Sequence, residues 1–209
     1  MNYIIQGGPI MVLLVLISVL AIAIIINRLR FYRSAALKSS RNIISDVLKY
    51  LRAASPESAI SLCEEKNGPV AAVIKAGLEC YGEGAEAMEE AFQAQELKEI
   101  PLLEKHLSIL STIASVATLT GFTGTVTGMI KAFNNIAQEG ASSPAIVASG
   151  ISQALLTTAA GLLIAIPTVI FLRYFESTVD GFVNEIDLAT HEIIRLSRRG
   201  KNRPTGGVL

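Results

Sequence analysis

The sequence predicts an all-α membrane protein with three transmembrane helices, N-terminus out and C-terminus in, whose long helices extend into a cytoplasmic helical domain. Three observations carry that expectation. The 209 residues are 51% hydrophobic, with a mean hydropathy of +0.48, which is too apolar for an ordinary soluble domain. The excess lies in three uncharged runs, 10–26 (17 residues), 107–130 (24) and 145–172 (28), and about 20 apolar residues cross a bilayer as helix at roughly 1.5 Å per residue. The charges are also partitioned. Of 18 Lys and Arg, 11 fall between Arg28 and Lys105, 6 between Arg173 and Arg203, and only Lys131 lies between the second and third runs. Basic residues stay on the cytoplasmic side, which sets the orientation.

Taken in order, residues 1–9 are a short periplasmic N-terminus and 10–26 the first span. No Lys or Arg precedes that span, while "NRLRFYR" follows it with Arg28, Arg30 and Arg33. It therefore reads as an uncleaved anchor and not a signal peptide. Residues 27–106 form a cytoplasmic helical domain. Within it "RNIISDVLKYLRAA" has apolar residues at helical spacing. Ser55-Pro56 and Gly68-Pro69 each suit a cap followed by proline at the first helical position. From Ala85 a charged stretch runs into the second span without a breaker except Pro101, which is expected to kink the helix without ending it.

Nothing in this domain matches a phosphate loop, a zinc helix or a nucleophile elbow, so an enzyme is not expected. Cys63 and Cys80 fall on the cytoplasmic side, where reduced structural thiols are the rule. His106 and His191 show no ligand spacing, so neither a metal site nor a cofactor is expected.

Residues 107–130 form the second span. Ser108, Ser111, Ser115, Thr118 and Thr125 share one stripe of it, and Ala114, Ala117, Gly121, Gly124 and Gly128 the adjacent one. A helix facing only lipid needs neither, so this face meets another helix or a wet cavity. Residues 131–146 are a short periplasmic loop, 147–172 the third span, 173–199 a cytoplasmic helical extension and 200–209 a disordered basic tail. From Phe175 through Val179, Phe182, Ile186 and Ala189 to Ile193, apolar residues alternate three and four apart, the spacing of a coiled-coil seam. The same register runs back through Leu172, Thr168, Ala165, Gly161, Thr158, Ala154 and Ile151, where the residues become small and permit close helix approach. Pro167 belongs with this packing region. The seam is expected to hold a homo-oligomer together.

Membrane Ser and Thr hydroxyls ordinarily close on the carbonyl one turn back. Gln153 differs, because a primary amide cannot satisfy itself within its own helix. Thr158 lies on the small-residue stripe, with Gln153 and Thr157 displaced by roughly 100° around the helix. Thr158 and Thr125 are thus the expected cavity-lining hydroxyls. Gln153 either bonds between subunits near the outer end of the span or meets an ion on entry. None of the three spans carries Asp, Glu, Lys, Arg or His, and a membrane proton relay ordinarily uses a titratable group. An acid, if used, must come from another chain.

The segments "GGPIMVLLVLISVLAIAIIINRLRFY", "GTVTGMIKAFNNIA" and "GISQALLTTAAGLLIAIP" resemble the MotA/TolQ/ExbB proton-channel family, in its ExbB/TolQ branch. The resemblance runs from about Gly7 to Leu196. It implies a multi-pass protein of the bacterial inner membrane, assembled as a homopentamer around an ExbD/TolR-like single-span partner that supplies a membrane aspartate. Proton flow would then energise a TonB- or TolA-like protein acting on the outer membrane, with no nucleic acid involved. The family's pore threonines match Thr125 and Thr158. Gln153 stands where many relatives have glutamate, Thr118 replaces a usual proline, and Thr120 and Thr123 replace leucines. The extra hydroxyls also suit a sodium-driven version, since oxygen ligands coordinate hard cations. A non-conducting helical scaffold is the other alternative, because small-residue seams serve packing as well.

Overall fold

The computed structural model describes residues 8–38, 42–53, 55–139 and 144–201, and all the regular structure among them is helical. Seven helices follow in order: α1 Gly8–Lys38, α2 Asn42–Arg52, α3 Pro56–Lys66, α4 Pro69–Glu79, α5 Ala85–Glu104, α6 Leu107–Glu139 and α7 Pro144–Lys201. Three helical stretches are long and apolar enough to cross a membrane. Most of the expected N-terminal segment, the centre of the 131–146 loop and positions 202–209 of the tail lie outside the described residues. Gly200 and Lys201, placed in that tail from sequence, instead continue α7.

The chain divides into two compact units. One is built from residues 1–28 and 106–175, the other from 29–105 and 176–209. The second unit packs α2 on α3, α3 on α4 and α4 on α5. Pro56 and Pro69 both open their helices at the first turn, where a missing N–H costs nothing. The Ser55 hydroxyl makes no cap bond; it meets the Ser58 hydroxyl at 2.8 Å instead. Asn67 ends α3 in the left-handed region at φ 49°, its N–H donating to the Cys63 carbonyl. Asparagine tolerates that conformation better than most residues. At the α4–α5 contact Gly77 lies directly under the Phe92 ring, and Phe92 is 2% exposed. Any side chain at 77 would occupy the ring's place.

One expectation is corrected at the end of α5. Pro101 sits inside the helix, and the chain breaks only after Glu104, with His106 at φ 69°. The physical reason lies in Leu103. In an unbroken helix its carbonyl would accept the Leu107 N–H. Here it accepts the Tyr32 hydroxyl at 2.7 Å, in a buried bond spanning 71 residues. The restart is clean: the Leu110 N–H donates to the His106 carbonyl at 3.0 Å.

The long seam is buried within the single chain. Phe175, Val179, Phe182, Ile186, Ala189 and Ile193 are each at most 6% exposed. Leu172, Thr168, Ala165 and Ala154 are buried as well, whereas Ile151 is 37% exposed. The seam therefore meets helices of its own protomer, and its periodicity is no argument for an oligomer. Across the second unit, α5 faces α7. Arg198 reaches Glu89 at 3.7 Å, and burial, then Asp187, holds the Glu96 carboxyl above its ordinary value, with His191 opposing. Cys63 and Cys80 are free thiols. Burial pushes Cys63 from 9.0 to about 11, partly opposed by Lys75.

Candidate functional site

Within the first unit α6 and α7 approach almost backbone to backbone, because both faces are stripped of side chains. A Cβ placed on Gly161 would come within 2.6 Å of the Ala117 carbonyl oxygen and 3.0 Å of the Gly121 Cα. One on Gly121 would meet the Thr157 oxygen at 3.0 Å and the Gly161 Cα at 3.2 Å. Two turns further along, Gly128 faces Ala154, and beyond it Gly150 faces Ala132. Ala114 and Ala117 continue the same buried stripe. This is the small-residue packing that lets membrane helices associate by dispersion alone. Ala165 is buried two turns beyond Thr158, whereas Pro167 lies on the exposed side of α7, which continues unbroken through it.

The close approach joins two hydroxyls. Thr125 and Thr158 hydrogen-bond to one another, although 33 residues separate them. The Thr158 hydroxyl also lies 3.1 Å from the Gly121 carbonyl across the interface and 3.4 Å from the Ala154 carbonyl of its own helix. Both threonines are partly exposed. They form a short polar ledge at the edge of the dry seam, open on one side.

Other hydroxyls of α6 behave differently. Thr112, Ser115, Thr118 and Thr123 each donate to the carbonyl four residues back, at 2.8–3.2 Å. These protons are committed locally, so what such residues present outward is oxygen lone pairs.

Sequence spacing missed Thr157. It is 1% exposed, its hydroxyl donates to the Ala154 carbonyl at 2.8 Å, and it fills the space over Gly124. From Ala154 to Gly161 the steps 3-then-4 and 4-then-3 fit a seam equally well. The first selects Thr157 and the second Thr158. The helix crossing uses both, burying Thr157 and leaving Thr158 at the rim.

Gln153 lies apart from the threonine pair. Its amide nitrogen is beside the first residue of α1, 2.8 Å from where a Gly8 Cβ would stand. It lines a cavity of about 190 Å³ together with Pro9, Ile10, Gly124, Thr127, Gly128, Lys131 and Thr157. Among the described residues no group of three His, Cys, Asp or Glu side chains is placed to hold a metal ion.

Residues 65–188 match the model of the MotA/TolQ/ExbB proton channel family. The chain is 30% identical over 200 residues to the biopolymer transport protein ExbB-like 3 of Synechocystis sp., covering 95% of each. It is 32% identical to ExbB-like 1 of the same organism, over 82% of this chain and 68% of that one. A shorter similarity, 37% over 91 residues, links 44% of the chain to 28% of the biopolymer transport protein ExbB of Pseudomonas putida.

Proposed function

Because this chain belongs to the MotA/TolQ/ExbB proton channel family, we propose that it is the ExbB/TolQ-like subunit of a proton-driven motor in the bacterial inner membrane. In this reading several copies, five by analogy with the family, surround an ExbD/TolR-like single-span protein. Residues 27–106 and 173–199 face the cytoplasm and 131–146 the periplasm, in keeping with the 17 basic residues outside the 131–146 segment and the single one within it. The assembly energises a TonB- or TolA-like protein that works on the outer membrane.

The observation that carries the reading is the Thr125–Thr158 ledge beside the Gly121 carbonyl. A pair of hydroxyls can pass a hydrogen bond between a donor and an acceptor by rotating their protons. The spans contain no titratable side chain of their own, so the pair has work to do only when another chain brings an acid. An aspartate on the partner helix, held at the ledge, finds a donor for its ionised form and an acceptor for its protonated form. Hydrogen bonding to the charged form and desolvation pull its proton affinity in opposite directions, which suits a group that must load and release a proton on each cycle.

The test is ion flux. The chain is co-purified with its single-span partner and reconstituted in proteoliposomes, with proton and sodium gradients imposed separately. The Thr125→Val, Thr158→Val double variant keeps shape and loses both hydroxyls. It is expected to assemble and to lose most of the proton flux. Full flux in an assembled double variant would sink the assignment and leave a packing scaffold. Flux under a sodium gradient alone would replace the proton by sodium.

A further inference from the structure

The cavity at the junction of α1, α6 and α7 is not needed by the threonine ledge, and its chemistry is of another kind. We propose that it binds the phosphate of an anionic membrane phospholipid. Its walls are Pro9, Ile10, Gly124 and Gly128, with polar groups from Lys131, Gln153, Thr127 and Thr157. Two of those groups are already occupied as donors. The Thr127 hydroxyl donates to the carbonyls of Thr123 and Gly124 at 3.0 and 3.1 Å, and Thr157 donates to Ala154 at 2.8 Å. The remaining donors are the ammonium of Lys131 and the amide of Gln153, one formal positive charge and no negative one. That set selects an anion with several acceptor oxygens.

Position identifies which anion. Lys131 is the first residue after the uncharged run 107–130 and the only Lys or Arg between Lys105 and Arg173. A lysine at the end of a membrane span carries its ammonium to the headgroup level. An ammonium held between membrane helices at that level is placed to pair with a lipid phosphate by a charge-assisted hydrogen bond. The remaining lining suits the glycerol end of such a lipid, being apolar and, at about 190 Å³, far too small for whole acyl chains, which stay in the bilayer. The glutamine matters here. A carboxylate at 153 would place a negative charge in the same small cavity and compete with phosphate for Lys131.

Native mass spectrometry of the full-length chain, purified in detergent and supplied with phosphatidylglycerol, phosphatidylcholine or inorganic phosphate, tests the site. The wild type is expected to retain phosphatidylglycerol over phosphatidylcholine. Lys131→Gln should reduce retention about tenfold, the effect of losing one hydrogen bond to a charged group, and Lys131→Arg should restore it. Gln153→Glu should reduce retention as well. Ile10→Trp should do so by filling the cavity with no change of charge. Equal retention in wild type, Lys131→Gln and Ile10→Trp would overturn the proposal. So would equal retention of the two lipids. Displacement of the lipid by inorganic phosphate at matching concentration would show a site for free anion and overturn the lipid assignment.

Discussion

Two glycines of α7 make a controlled pair, Gly161 and Gly181. Both are interior to the same helix, and alanine gains about 1 kcal/mol of helix propensity at either. They differ in what the new methyl meets. At Gly181 nothing lies within 4 Å, whereas at Gly161 the Ala117 carbonyl oxygen is 2.6 Å away and the Gly121 Cα 3.0 Å. A carbon and a carbonyl oxygen rest at roughly 3.3–3.6 Å, so the Gly161→Ala methyl is about 0.7–1.0 Å too close. The obstacle is backbone and cannot turn aside as a side chain would. Either α6 and α7 part along their shared face, or strain stays at the crossing. Overpacking of this kind costs about 1–3 kcal/mol. Propensity cancels between the two variants, so their difference isolates the packing term. For a chain of this size 1 kcal/mol shifts Tm by about 2–4 °C. A 2 kcal/mol difference thus puts Gly161→Ala about 4–8 °C below Gly181→Ala. The assay is thermal unfolding in one detergent, followed by circular dichroism, with Gly181→Ala at or slightly above wild type. Equal Tm values for the two variants would refute the close-packed α6–α7 seam.

Tyr32→Phe removes the hydroxyl that holds the Leu103 carbonyl and should cost about 0.5–1.5 kcal/mol. Faster amide exchange at residues 105–107 in that variant would locate the effect at the break between α5 and α6, and unchanged exchange would deny it. Cys63 supplies a pH prediction. Its folded-state thiol is pushed to about 11 from the ordinary 9.0, so as pH rises from 9 toward 11 the unfolded chain holds fewer protons than the folded one. Stability must then fall over that window. Denaturant midpoints of wild type should decline more steeply from pH 9 to 10.5 than those of Cys63→Ala, and parallel declines would contradict the assignment.

The three apolar runs, the proline-opened helices and the buried register from Phe175 to Ile193 were legible because each is a local property. Hydropathy, proline chemistry and a 3.6-residue period are written along one strand of sequence. The stripe of Gly121, Gly124 and Gly128 was equally plain, since missing side chains on one helical face ask for a neighbour. What covers a face is another matter. Spacing led to the expectation that a second copy covers the α7 seam, and the fold answers that the seam residues are buried within their own protomer. Spacing was read as selecting Thr158 over Thr157, although both satisfy an alternating step of three and four. The choice is made by the crossing of α6 over α7, which buries one hydroxyl against Gly124 and leaves the other touching Thr125. The break at His106 hangs on a tyrosine 71 residues from the carbonyl it binds, and the setting of Gln153 on the start of α1. The sequence by itself determined which segments are helical and which faces are small or apolar, since those follow from each residue's own volume and hydration. Only the tertiary structure decided which faces meet, because that depends on contacts between residues far apart in the chain, and no period in the sequence records them.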